Sequence, residues 1–171
     1  MKLPPYYIFP TISADKISLR QILKEDVEHL IEISFYDGIQ ATTLKQATEM
    51  LDKINKDYLN GNTVHWGIAD NITNRIIGTC GYYRGFENRS GELGCVLLPQ
   101  YQGKGFMTSA MSLAIAFGFK HMRLKRVAAV TTNQNLKAVK LLERLSFIKV
   151  AELEGDLIEY EVRQEDLESD Q

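Results

Sequence analysis

Apolar and polar positions alternate along residues 16–22, Lys-Ile-Ser-Leu-Arg-Gln-Ile, which predicts a first strand. Lys24-Glu25-Asp26 then opens a predicted helix with Val27, Leu30 and Ile31 on one face and Phe35 near it, broken at Asp37-Gly38. A second helix is predicted from a Thr43 cap, with Ala47, Met50, Leu51, Ile54 and Tyr58 at helical spacing and Asn60-Gly61-Asn62 closing it. Three strands follow at 63–69, 75–84 and 91–98, separated by the polar stretches Asp70-Asn71 and Glu87-Asn88-Arg89-Ser90. A long helix runs from Phe106 to about Lys120, with Phe106, Met107, Ala110, Met111, Leu113, Ala114 and Phe117 apolar. Residues 126–132 are apolar enough to predict a strand buried on both faces. Asn133-Gln134-Asn135 starts another helix, with Leu136, Val139, Leu142 and Leu145 inward, and strands at 147–153 and 157–163 close the chain. The order β-α-α-β-β-β-α-β-α-β-β predicts a mixed α/β domain built on one central sheet. Residues 1–15, rich in Pro and aromatics, are expected to be irregular, and the acidic end at 164–171 to be a frayed tail.

The 171 residues suit one domain, 1–171, with its core at about 17–163. Apolar residues are 44% and charged residues 25%, the balance of a globular protein with a real core. A formal net charge of -2 provides no global basic field, so no nucleic-acid partner is expected. The basic run at 120–126 is read as a helix end joined to a strand, where cations suit the helix dipole. No apolar h-region and no membrane-length apolar run occurs, which predicts a cytoplasmic, reduced protein with no membrane partner. Two cysteines in strand-like segments and three histidines without ligand spacing make neither a disulfide framework nor a metal site.

The candidate chemistry lies in Gln100-Tyr101-Gln102-Gly103-Lys104-Gly105-Phe106, a Gly-rich turn between the strand at 91–98 and the long helix. Backbone N–H groups in such a turn, and at the helix start behind it, have no intrahelical partners, and the helix dipole adds partial positive charge. That is an anion site suited to a diphosphate. Thr108 stands where a dinucleotide fingerprint needs its third Gly, and the turn lacks Walker spacing.

The turn resembles the acetyl-CoA loop of the GNAT superfamily of N-acetyltransferases, Gln/Arg-x-x-Gly-x-Gly/Ala. Three further pieces follow the order of that family's branch of ribosomal-protein alanine/serine N-acetyltransferases: Ile77-Gly78-Thr79-Cys80-Gly81, Gly91-Glu92-Leu93-Gly94-Cys95-Val96-Leu97, and Asn135-Leu136-Lys137-Ala138 followed by Leu145-Ser146-Phe147. The resemblance implies a mostly antiparallel sheet of about seven strands, splayed into a V and flanked by about four helices. It also implies acetyl-CoA as co-substrate and no metal. Backbone groups of Cys95, Val96 and Leu97 would pair with the pantetheine arm, and Gln102, Gly103, Lys104, Gly105, Phe106 and Met107 would hold the diphosphate. Asn135 would bond the arm or an ordered water, and a backbone N–H near Val96 would serve as oxyanion donor.

The resemblance has departures. Ala138 stands where the branch has Ser, Ser146 replaces a Gly at the helix end, Ser109 replaces a Glu, and Leu142 replaces a Tyr that other branches use as thiolate acid. Glu92, an acidic residue in an otherwise apolar strand beside the implied cleft, is the candidate base. Cys95 as a covalent nucleophile is weighed below a packing role, because no base adjoins it in sequence. His65, Trp66, Tyr82, Tyr83 and Phe86 either line an acceptor pocket or pack the sheet. The expected activity is acetyl transfer to a primary amine by direct attack, the acceptor being a protein N-terminus or a small molecule. A homodimer remains open, and the alternative is a catalytically weak CoA-binding or interaction module.

Overall fold

The computed structural model describes residues 1–168. Its strands are β1 Ile12–Ser13, β2 Ile17–Arg20, β3 Phe35–Tyr36, β4 Ile39–Gln40, β5 Val64–Asp70, β6 Ile76–Tyr82, β7 Ser90–Leu97, β8 Arg126–Thr132, β9 Ile148–Glu152 and β10 Leu157–Arg163. The α-helices are α1 Leu44–Leu59, α2 Phe106–Phe117, α3 Leu136–Arg144 and α4 Gln164–Glu168. Eight strands form one sheet in the order β1-β2-β5-β6-β7-β8-β10-β9, while β3 and β4 pair separately. The large sheet is antiparallel except at β7–β8.

The period-2 pattern divides the core across the sheet. Trp66, Ile68, Ile77, Tyr82 and Leu93 pack on one face with Ala110, Ala114 and Phe117 of α2. On the other, Ala69 and Ile76 pack with Val27, Leu30, Ala47 and Leu51 under α1. Thr43 caps α1 as its spacing predicts, its side chain accepting from Gln46 N–H at 3.2 Å.

Three expectations are corrected. The helix predicted from Lys24 is two 3₁₀ turns, Lys24–His29 and Ile31–Ile33. Asp26 there accepts from the Leu23 N–H at 2.8 Å and takes a two-pronged bond from Arg20 at 2.9 Å, a local side-chain pattern that competes with a continuous α-helix. Asp37-Gly38 is not a simple helix breaker. With φ of 49° and 75° it forms the two-residue turn of a β3–β4 hairpin, for which Asp-Gly is a preferred pair. The chain at Gln164–Glu168 is a short helix rather than a frayed tail, and the remainder of that predicted tail, 169–171, lies outside the described residues. The basic run behaves as read: Gly118–Met122 extends α2 as a π-turn, and Arg123, at φ 62°, redirects the chain into β8.

Candidate active site

Strands β7 and β8 pair in parallel through three residues only: Ser90 with Arg126, Gly91 with Val127, and Glu92 with Ala128. Beyond Glu92, β7 keeps its register with β6, from Leu93 opposite Tyr82 to Leu97 opposite Gly78. Beyond Ala128, β8 stays with β10, from Ala129 opposite Tyr160 to Thr132 opposite Leu157. A wedge therefore opens in the sheet with Glu92 at its vertex. The splay also corrects the reading of β8: Val127, Ala128 and Ala129 are buried, but Val130, Thr131 and Thr132 border the opening and are only half-buried.

The hydrogen-bond phase of β7 decides which backbone groups face the wedge. Leu98 N–H donates to Ile77 C=O at 2.9 Å and Tyr83 N–H to Glu92 C=O at 3.1 Å. In an antiparallel ladder this turns the main-chain groups of residues 92, 94, 96 and 98 toward β6 and those of 93, 95 and 97 away from it. Cys95 and Leu97 accordingly present an unpaired edge to the wedge, with the Leu97 carbonyl also accepting from Gln102 Nε2 at 3.3 Å. Val96, expected to offer its backbone to the cofactor, is committed to the β6 ladder opposite Thr79.

At the top of β7 a 3₁₀ turn, Pro99–Tyr101, leads into the Gly-rich segment. Gly103 and Gly105 have φ of 73° and 83°, the left-handed region that favours glycine, and nothing lies within 4 Å of where their side chains would begin. The Gln102 amide, expected among the diphosphate donors, instead donates to Pro99 C=O at 3.2 Å and closes the 3₁₀ turn. Among the described residues the amides of Gly103, Lys104 and Gly105 have no acceptor, and α2 begins with no side-chain cap, so the N–H groups of Phe106 and Met107 have no intrahelical partner. A row of such amides on an open turn suits an anion such as a diphosphate. Lys104 reaches back over the Tyr101 ring, 5.7 Å from its centroid.

Across the wedge, Asn135 caps α3, its Oδ1 accepting from Ala138 N–H at 3.2 Å. Leu142 is 4% exposed and belongs to the core, so the site of the absent tyrosine is filled by packing.

Glu92 shares a sheet face with Gly94 and Val96 and, across the register, with Tyr83 and Thr79. That face floors a cavity of about 270 Å³, walled by Met50 and Ile54 of α1 and by Phe35 and Tyr36 of the hairpin. It adjoins a second, larger cavity of about 540 Å³ bordered by Asp37, Asp57, Thr63 and Arg84. Tyr83 lines both, and its ring lies over Gly94, where a Cβ would stand 2.9 Å from Cε2. Its hydroxyl is 2.9 Å from His65 Nδ1. Desolvation drives both groups neutral: His65 falls to about 4 and Tyr83 rises well above the ordinary phenol range. Glu92 is half-buried, its Oε2 3.2 Å from Arg84 Nε; because the Arg84 side chain is 73% exposed, the pair holds the carboxylate weakly. Of the residues weighed for this pocket, His65 and Tyr83 line it. Trp66, Tyr82 and Phe86 are core, with Trp66 donating to Pro10 C=O at 2.9 Å and Tyr82 to Ala114 C=O at 2.8 Å. The roof supplied by the hairpin was missed in sequence, where Asp-Gly between short apolar pairs was the available signal.

Cys95 Sγ meets only another thiol, Cys80 Sγ at 2.7 Å, and burial pushes its pKa well up. A protonated thiol without a base is a poor nucleophile.

The acetyltransferase (GNAT) domain pattern matches residues 16–148. N-acetyltransferase p20 of Bacillus licheniformis is 33% identical over 159 residues, covering 88% of this chain and 87% of that protein. N-acetyltransferase YoaA of Bacillus subtilis is 29% identical over 161 residues, covering 90% and 89%. Among solved structures, mutant forms of the spermidine/spermine N-acetyltransferase SpeG from Vibrio cholerae superpose with a TM-score of 0.77 at 20% identity, covering 91% of this chain and 99% of that one. A wedge opening at an acidic vertex beneath a turn of bare amides thus stands in a chain with acetyltransferase relatives along most of its length, and the chain belongs to the GNAT family of acetyltransferases.

Proposed function

We propose that this enzyme transfers the acetyl group of acetyl-CoA to a primary amine by direct attack, with Glu92 taking the amine's proton. The observation that carries this reading is the position of Glu92, the last β7 residue paired to β8, at the vertex of the wedge and on the same side of the strand as Gly94 and Val96, which line the cavity. When bound, acetyl-CoA supplies an acyl carbon activated by its thiolate leaving group. In this reading the amides of Gly103, Lys104, Gly105, Phe106 and Met107 hold the diphosphate, and the free edge at Cys95 and Leu97 aligns the pantetheine arm as an added strand. Asn135, whose Nδ2 is left over from its capping bond, faces the arm from the far side.

An ammonium group is mostly protonated at neutral pH and must lose a proton before it can attack. Glu92 exchanges its exposed Arg84 partner for the ammonium and accepts that proton directly or through water. The His65–Tyr83 pair stays uncharged and gives the amine a neutral acceptor beside the reacting centre. With Leu142 in the core and Ala138 lacking a proton, the thiolate takes its proton from solvent. The reaction is cytoplasmic in this reading, and the acceptor is a small amine or a protein N-terminus. SpeG shows the same fold serving spermidine and spermine.

The test is thiol release from acetyl-CoA with a panel of polyamines, simple amines and Ala- or Ser-initiated peptides. Glu92→Gln should lower kcat/KM by about 100-fold or more while CoA affinity holds within about two-fold. An unchanged rate would remove Glu92 from the role. Tight CoA binding with no transfer to any amine would favour a binding module instead.

A further inference from the structure

The chain has two cysteines, and the β6–β7 register sets Cys80 directly opposite Cys95. The bonds from Leu98 to Ile77 and from Tyr83 to Glu92 fix the ladder phase, so this pair occupies a non-hydrogen-bonded position. Directly opposed residues at such positions have Cα atoms about 4.5 Å apart, inside the range of about 4.4–6.8 Å that a disulfide spans. Both thiols are free and their sulfurs are already 2.7 Å apart. Closing that gap to a bond of about 2.05 Å asks for a movement of less than about 1 Å.

We propose that Cys80 and Cys95 form an oxidisable dithiol site, which hydrogen peroxide or another small two-electron oxidant converts to a disulfide cross-linking β6 and β7. Cys80 is fully buried and Cys95 half-buried, so the oxidant meets Cys95 first. The Cys95 thiolate attacks one peroxide oxygen; the S–O bond forms, the O–O bond breaks, and hydroxide leaves to become water. Cys80 sulfur then attacks the sulfenic sulfur; the S–S bond forms, the S–O bond breaks, and the second water leaves with the Cys80 proton. Two electrons pass from the thiols to the peroxide and none are left over. Burial and the neighbouring sulfur keep Cys95 protonated, so the first step runs slowly and accelerates as pH rises.

The site is independent of the acceptor and of Glu92. The intact reduced protein is exposed to hydrogen peroxide at mildly alkaline pH, the reaction is quenched with an alkylating agent in denaturant, and the mass is read. We expect a monomer about 2 Da lighter with no alkylatable thiol, restored by dithiothreitol. A sulfinate at Cys95, a disulfide-linked dimer, or two thiols still alkylatable would each overturn the proposal. Cys95→Ser should leave Cys80 alkylatable after the same exposure; equal loss of that thiol would show that Cys80 is attacked by itself. The oxidised protein should also unfold at higher urea than the reduced protein, because the cross-link restricts the unfolded chain. A lowered midpoint would show that the strands must be distorted to close the bond, and would overturn the fit.

Discussion

Two neutral side chains, His65 and Tyr83, stand where the cavity floor approaches Glu92. A phenol is neutral at ordinary pH, and His65 is held neutral by desolvation with no carboxylate beside it, so that its pKa falls from 6.5 to about 4. In the unfolded chain the same imidazole titrates near 6.5, so between those values the unfolded state binds the extra proton. The pair's contribution to stability is complete above about pH 6.5 and is lost as pH falls toward 4. Urea midpoints measured across that interval should decline, and His65→Gln should flatten the decline without changing the slope above pH 7. An unaltered pH profile in the variant would assign the loss to other groups. The sequence offers both residues as candidates for a pocket or for packing, but not as a pair. His65 is one polar position in an apolar strand, and Tyr83 is the second of two adjacent tyrosines on opposite faces. Their meeting depends on the β5–β6 register and on Gly94, whose missing side chain admits the Tyr83 ring.

Among the elements, α3 shows how a departure from the family pattern becomes a measurable cost. Its C-terminus closes with Phe147 N–H donating to Leu142 C=O and Ser146 N–H to Glu143 C=O, both at 3.0 Å. That double bond pattern places the residue after the cap in left-handed conformation, and Ser146 sits there at φ 64°. Glycine adopts that conformation without a Cβ penalty, so Ser146→Gly should stabilise the protein by about 0.5–1 kcal/mol, read as a raised Tm at unchanged acetyl transfer. A fall in Tm would mean that the serine hydroxyl outweighs the backbone term. The same helix shows what patterning conveys and where it slips: Val139, Leu142 and Leu145 pack inward, but Leu136, expected inward, is 64% exposed in the first turn, while the patterns at 126–132 and 157–163 mark their strands residue for residue. Patterning fails where side chains override it. Asp26 ties the chain at Leu23 and Arg20, turning a helical periodicity into 3₁₀ turns, and the Asp37-Gly38 hairpin is too short for alternation to register. The family-like pieces of sequence single out Glu92 and the Gly-rich turn, which the fold sets at the wedge vertex and at the start of α2. Ladder phase separated Cys95 and Leu97 from Val96, and that phase is set by pairing with β6, which no local pattern encodes.

At the scale of the whole molecule, the wedge exists because the sheet is clamped at one end and released at the other, and Arg126 is the clamp. Standing at the start of β8, it donates to Ser90 Oγ on β7 at 3.2 Å and pairs with Glu159 and Glu161 on β10, joining three strands below the vertex. Glu161 is 6% exposed and also receives Arg163 Nε at 2.7 Å. Burial alone would raise its pKa, but the hydrogen bonds and charges of Arg126 and Arg163 outweigh it and hold it below the ordinary glutamate value. A depressed carboxylate stabilises the fold above its unfolded pKa and loses that contribution as pH falls through the folded value. Arg126→Met removes the side-chain bonds from β8 to β7 and β10 and leaves Glu161 with one exposed partner. It should cost about 2–3 kcal/mol in urea unfolding at pH 7, and less at pH 4, where the stranded carboxylate can take a proton. Glu161→Gln in the Arg126→Met background should recover part of the loss at pH 7, because it removes the uncompensated charge. If the Arg126→Met penalty is the same at both pH values, the clamp acts by packing alone. With the base loosened, the wedge above it loses its fixed aperture, so the folded Arg126→Met protein should bind CoA several-fold more weakly although no part of residue 126 lies at the Gly-rich turn. Retention of full CoA affinity would mean that β6 and β10 hold the wedge open without the clamp.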